Sequence, residues 1–255
     1  MIIIKNLMDE ILDKFETKFH PLQELDFEHA EADKLKLLNR SNIKLLNYNI
    51  FLRPPPVKNN ESDYKNERLA DFIKQLENFD IVCLQEMFGS FNSRKHKIIK
   101  FAHKCGYFFS ATPAAPSFFS PCIVDGGLLI LSRYIKVDRY RFPIIESEFL
   151  PFKYCVLSDS LSEKGVLYAK IQIKDSFLHL FTTHFQASYF GSSESNWNLS
   201  IKARIDHMKE LSIYINKIIK DKDVKDDESI LLVGDFNVDF HNFEKMKKVN
   251  ILADR

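Results

Sequence analysis

Val166-Leu167-Tyr168-Ala169-Lys170-Ile171-Gln172-Ile173 and Phe177-Leu178-His179-Leu180-Phe181-Thr182-Thr183 are two strand-like apolar runs with no room for a helix between them. A doubly wound sheet alternates strands with helices, so adjacent strands in mid-chain argue for two sheets packed face to face with helices outside. Working outward, strands are read at Leu128–Leu131 and Val137–Phe142, and a long amphipathic helix from Asn198 to Lys220 leads into a strand at Leu231–Val233. Towards the amino terminus the order is a strand at Ile43–Phe51, a helix at Tyr64–Phe79, a strand at Ile81–Leu84 and a helix at Arg94–Cys105. Residues 107–121 read as an aromatic, proline-rich loop.

Before this region, Ile4, Leu7, Met8, Ile11, Leu12, Phe15 and Phe19 recur at helical spacing, and residues 21–40 form a charged connector. The chain therefore divides into an amphipathic amino-terminal segment (1–40) and one large domain (41–255). The helix's polar face mixes both charge signs. That favours packing on its own domain or on a protein partner over binding lipid.

The 36 basic and 35 acidic residues leave a formal charge of +1, which weighs against a dedicated duplex-DNA binder and leaves no specific nucleic-acid partner expected. Four scattered cysteines form no CxxC pair and suit a reducing compartment. No apolar run reaches the roughly 18 residues of a transmembrane helix, and the amino terminus lacks a convincing signal peptide. A cytoplasmic protein, peripheral at membranes, is expected.

The chemistry collects where strands end. Leu231-Leu232-Val233-Gly234-Asp235-Phe236-Asn237 is an apolar run broken by a glycine, and strand alternation would turn Asp235 and Asn237 to one face. Asn49, Glu86 and His184 end three other apolar runs in the same way. Such polar groups gather ligands in open α/β sheets, and these suit phosphodiester hydrolysis. A hard cation, Mg²⁺ with Mn²⁺ as a substitute, takes oxygen ligands such as Glu86 and the amide oxygen of Asn49. Cationic His184 would donate to the phosphate or protonate the leaving oxygen. Asp235 would orient or activate water, and Asn237 would hold a phosphate oxygen.

These residues resemble those of the endonuclease/exonuclease/phosphatase superfamily. Asp125-Gly126-Gly127-Leu128-Leu129-Ile130-Leu131-Ser132-Arg133, Lys164-Gly165-Val166-Leu167-Tyr168 and Thr183-His184-Phe185-Gln186-Ala187 resemble its neutral sphingomyelinases more narrowly. The likeness runs from Ile43 to Asp239. It implies a four-layer α/β sandwich and Mg²⁺-dependent cleavage of sphingomyelin, or a related phospholipid, to ceramide and phosphocholine. Asp159 and Lys164 resemble an Asp-x-x-x-x-Lys switch of membrane-regulated members. A phospholipid surface is the implied partner, and Phe88, Phe91, Phe118 and Phe119 are the expected membrane-contact rings.

One element of the family pattern is missing from the sequence. The superfamily's Ser-Asp-His motif, whose histidine is the general base, does not follow Asp235, and His241 has the wrong neighbours. The expectation is a truncated domain lacking its closing strands, with turnover lowered by on the order of 10⁴ or more. The competing readings are a nuclease or inositol-phosphate phosphatase on the same scaffold, and a catalytically silent lipid- or partner-binding relative.

Overall fold

The computed structural model describes residues 43–57, 63–117, 120–133, 142–188 and 193–238. Two parallel strand pairs organise it. β1 (Leu45–Leu52) crosses over through helix α1 (Lys65–Ile73) to the parallel β2 (Ile81–Met87). In the other half, β7 (Ser176–His184) crosses over through α3 (Glu194–Asp221) to the parallel β8 (Ser229–Asp235). Parallel neighbours require such crossovers, whereas the remaining strands pair antiparallel.

The first sheet runs β1-β2-β4-β3, with β3 at Phe109–Ala111 and β4 at Leu129–Ser132. The second runs β5-β6-β7-β8, with β5 at Ile144–Pro151 and β6 at Gly165–Ile173. Alternation along β2 sorts its side chains between two cores. Ile81 and Cys83 meet Leu167, Ala169, Ile171 and Leu180 of the second sheet. Val82 and Leu84 instead meet Leu69 and Ile73 of α1 and Ile98 and Ala102 of α2 (Arg94–Lys104). On the far side Tyr168 and Phe181 pack against Leu211, Tyr214 and Ile218 of α3. The result is the expected sandwich: helices, sheet, sheet, helix.

Several boundaries moved. The Tyr64–Phe79 helix stops at Ile73, and a separate 3₁₀ turn covers Leu76–Asn78. The long helix begins at Glu194, because Ser193 Oγ accepts the Asn196 amide at 3.3 Å and caps it. The sequence reading missed β3 and β5. β5 is an edge strand whose Glu148 and Glu146 are answered by Lys217 of α3 and by Lys222 at its carboxyl-terminal cap, so its charges hid a half-apolar pattern. The expected strand at Val137–Phe142 lies outside the described residues except for Phe142, which is in no strand. The amino-terminal helix, residues 21–40 and His241 also lie outside them.

Candidate active site

Because both parallel pairs point the same way into the sandwich's end, their carboxyl-terminal tips bring the expected residues together. Asn49 (β1) donates from Nδ2 to Glu86 Oε1 at 3.0 Å and to Asp235 Oδ2 at 2.8 Å. His184 Nε2 lies 4.0 Å from Glu86 Oε1 and 3.9 Å from Asp235 Oδ2. Asn237 donates from Nδ2 to the Phe185 carbonyl at 3.0 Å, and its backbone amide donates to Asp235 Oδ1 at 2.9 Å. Five residues spread over some 190 positions of sequence thus share one cluster.

Local backbone makes this possible. Gly234 adopts φ +154°, and a Cβ there would stand 2.4 Å from the Thr183 carbonyl oxygen, so only glycine lets β8 close on β7 beside Asp235. β8 ends at Asp235, and Asn237 takes a left-handed φ of +53°. Asp235 Oδ1 thus accepts the Asn237 backbone amide in an Asx-type turn, which strand alternation did not anticipate. Glu86 is also left-handed, at φ +55°. That costs a non-glycine residue roughly 1–2 kcal/mol.

The electrostatics differ from expectation at His184. It is buried, and burial followed by the nearby Lys164 ammonium depresses its pKa well below the usual imidazole value. Lys164 Nζ stands 3.4 Å from Nε2, donates to the Phe185 carbonyl at 2.8 Å and pairs with Asp159 at 2.8 Å. A lysine donating onto Nε2 leaves the imidazole proton on Nδ1, so the histidine is neutral here and not cationic. Asp159 and Lys164 are thus joined to the site through His184.

Glu86 behaves as a carboxylate short of partners. Burial raises its pKa, partly offset by Asn49, and its Oε2 is buried without a hydrogen-bond partner. Asn49 turns its amide N–H groups to Glu86 and Asp235, and its Oδ1 accepts the Phe51 amide at 3.0 Å. A neutral N–H₂ thus stands between two carboxylates, where a cation would be favoured more strongly. No cluster of three or more His, Cys, Asp or Glu side chains among the described residues forms a closed metal cage. The donor set instead suits a hard ion that keeps most of its waters.

Other groups bracket the site, and the sequence reading gave them no role there. Asp125 Oδ2 accepts the amides of Gly89 and Ser90 at 2.8 and 3.0 Å, fixing the loop after Glu86, and Oδ1 pairs with the buried Lys95 at 2.6 Å. His207 of α3 holds the strand exit after His184. Its Nε2 donates to the Tyr154 carbonyl at 2.9 Å, and its Nδ1 accepts the Gln186 amide at 3.4 Å. Gln85 is wholly buried; a glutamine ending the apolar run Ile-Val-Cys-Leu was the available signal. Of the expected membrane-contact rings, Phe91 is 50% exposed while Phe88 is buried at 6%, so Phe88 belongs to the interior. Phe118 and Phe119 lie outside the described residues.

Comparison with known proteins agrees with this geometry. The model of the Endonuclease/Exonuclease/phosphatase family matches residues 42–249. A sphingomyelinase of Dictyostelium discoideum is 35% identical over 205 residues, 73% of this chain and 43% of that protein, so the chain spans less than half of this relative's length. The crystal structure of SmcL superposes with a TM-score of 0.63 at 27% identity, covering 82% of this chain and 68% of the other. A beta toxin from Staphylococcus aureus, crystallised as a double mutant with bound magnesium ions, gives a TM-score of 0.61 at 27% identity over 82% of this chain and 70% of its own. Sheet order, converging strand tips and these matches together show that the chain belongs to the endonuclease/exonuclease/phosphatase family, in its sphingomyelinase branch.

Proposed function

We propose that this site hydrolyses the phosphodiester of sphingomyelin, or of a related phospholipid, to ceramide and phosphocholine with the help of Mg²⁺. The observation that carries the reading is the partly buried Glu86 carboxylate, its Oε2 shielded and unpartnered, held beside Asp235 by Asn49. Glu86 would hold the ion, with Asn49 turned to offer its oxygen and Mn²⁺ as a substitute. When bound, the ion supplies charge stabilisation at a phosphoryl oxygen.

The chain's own groups do the rest. Asp235, half-buried and next to the amide of Asn49, orients the attacking water. Asn237 turns its amide from the Phe185 carbonyl to a phosphate oxygen. His184 gains a proton only when an anion offsets its burial, and a phosphate oxygen beside Nε2 provides that offset. Lys164, pinned by Asp159, stands against the same Nε2 and adds positive charge beside the phosphate oxygen. Lys164→Ala is therefore expected to lower both basal and lipid-stimulated turnover. The exposed Phe91, in the loop that follows Glu86, dips into the bilayer interface. Phe91→Asp is expected to weaken vesicle binding.

The sequence holds no Ser-Asp-His motif, and the test accordingly uses enzyme in excess. Sphingomyelin vesicles, single-stranded DNA and inositol phosphates are each incubated with the chain and Mg²⁺. Hydrolysis of sphingomyelin above background, abolished by Glu86→Gln, is the expected result. Hydrolysis confined to DNA or inositol phosphates would overturn the lipid reading. Vesicle binding without any hydrolysis would make the chain a binding module.

A further inference from the structure

The site is assembled across two sheets, Glu86 and Asn49 coming from one and His184 and Asp235 from the other, and among the described residues no strand of one pairs with a strand of the other. Something must hold the two halves in register to within the fraction of an ångström that catalysis requires. Apolar contact between sheets is non-directional and fixes such a register poorly. Directly beneath the site the apolar layer is interrupted by polar side chains, among them Gln85 and Thr182, each 0% exposed.

Gln85 Nε2 uses both hydrogens. One goes to Asn47 Oδ1 at 2.9 Å, and the other crosses between the sheets to Thr182 Oγ1 at 3.1 Å. Asn47 crosses too, donating from Nδ2 to the Gly234 carbonyl at 3.2 Å. The attachment points are telling. Gln85 immediately precedes Glu86, Thr182 lies two residues before His184, and Gly234 immediately precedes Asp235. Two amides, those of Gln85 and Asn47, therefore tie all four site-bearing strands within two residues of their functional residues.

This arrangement does not serve stability well. Gln85 Oε1 is buried with no hydrogen-bond partner, and a buried unsatisfied oxygen is destabilising. Replacing both members of a buried hydrogen bond by apolar groups of the same shape is close to neutral.

We infer that Gln85 is a positioning residue, whose amide, through Asn47 and Thr182, locks Glu86 of one sheet in register with His184 and Asp235 of the other. The inference rests on the phosphodiesterase reading for its catalytic consequence, and on geometry alone for its mechanical one.

The test pairs Gln85→Met/Thr182→Val, which removes both buried partners, with Asn47→Ala, which cuts only the solvent-accessible arm. Three quantities are followed: the urea midpoint, amide hydrogen exchange by mass spectrometry, and the sphingomyelin hydrolysis rate with enzyme in excess. The double variant should keep a near wild-type midpoint while exchange quickens at 182–186 and 233–237. Its rate at saturating vesicle should fall by roughly 10–100-fold, as when a group supporting catalytic ligands is removed, with half-saturation unchanged. Asn47→Ala should quicken exchange at 233–237 alone, which keeps the inference open to refutation should the double variant fail to fold. Wild-type exchange in both variants overturns the inference, as does wild-type hydrolysis by a folded double variant. If the wild-type chain does not hydrolyse sphingomyelin, the functional reading fails separately and exchange alone decides the mechanical claim.

Discussion

Acid should weaken this fold through His207 by an amount that can be calculated and isolated. The ring is wholly shielded from solvent, stacked on Phe152 at 3.9 Å with Phe185 edge-on, and both nitrogens are engaged by backbone. Burial is the main cause that pulls its pKa from 6.5 down to about 4, with the Lys164 charge adding to it and the Tyr154 carbonyl opposing it. A base whose folded pKa is depressed binds its proton more readily when unfolded. Stability is therefore complete above pH 6.5 and falls with acidification until the folded pKa is reached. Integrated between those values, the loss is about 2 kcal/mol by pH 5 and about 3 kcal/mol by pH 4.

The comparison is urea unfolding, read by circular dichroism, of the wild type and His207→Gln at pH 7 and pH 5. Glutamine can still donate to Tyr154, and whatever its packing costs is common to both pH values. His184 is present in both proteins, and the variant alters its acid response only by removing the His207 charge, the smallest of the three causes that lower its pKa. The wild type should lose about 2 kcal/mol more than the variant between the two conditions. Losses equal within about 0.5 kcal/mol would refute the assignment of His207 as a neutral structural clamp.

Glu86→Gln should abolish any Mg²⁺-induced rise in melting temperature, yet leave the metal-free protein at least as stable, because burial disfavours the carboxylate it replaces; a persisting Mg²⁺ shift would remove Glu86 as the ion's ligand. Asp125→Ala strands the buried Lys95 ammonium and should cost about 3–5 kcal/mol by urea unfolding. Lys95→Met/Asp125→Leu should cost clearly less, and equal losses would deny the pair its electrostatic role. Gly165→Ala puts a Cβ 2.2 Å from the Leu150 carbonyl oxygen and 2.8 Å from the Phe149 ring, forcing β5 off β6. It should lower stability by about 3 kcal/mol, against which a wild-type midpoint would count.

The sequence revealed what periodicity and strand ends encode. Val166–Ile173 and Phe177–Thr183 gave away the second sheet because strands buried on both faces are nearly all apolar. Asn49, Glu86, His184, Asp235 and Asn237 stood out as polar residues at the ends of such runs, and the structure gathers all five. What stayed hidden depends on partners distant in sequence. β5 carries glutamates that only the lysines of α3 and of its carboxyl-terminal cap make intelligible. Phe88 and Phe91 look equivalent in the sequence, but a turn sends one inward and the other out. The charge of His184 could not be read without knowing that Lys164, twenty residues earlier, lies against it. Gln85 was visible as an oddity in an apolar strand, but its two hydrogen-bond acceptors belong to different strands.

The contact between Asn49 and Asp235 spans 186 positions of chain, which has a consequence during synthesis. At ribosomal speeds the second residue emerges roughly 10–40 s after the first. For much of that interval the first sheet has its own helices but no opposing sheet, so Ile81, Cys83, Leu128 and Ile130 face water instead of Leu167, Ala169 and Leu180. The nascent chain thus carries a sticky, half-built sandwich, a natural client for a holding chaperone. The cluster of Asn49, Glu86, His184 and Asp235 does not exist until the second sheet arrives, because two of the four residues belong to it.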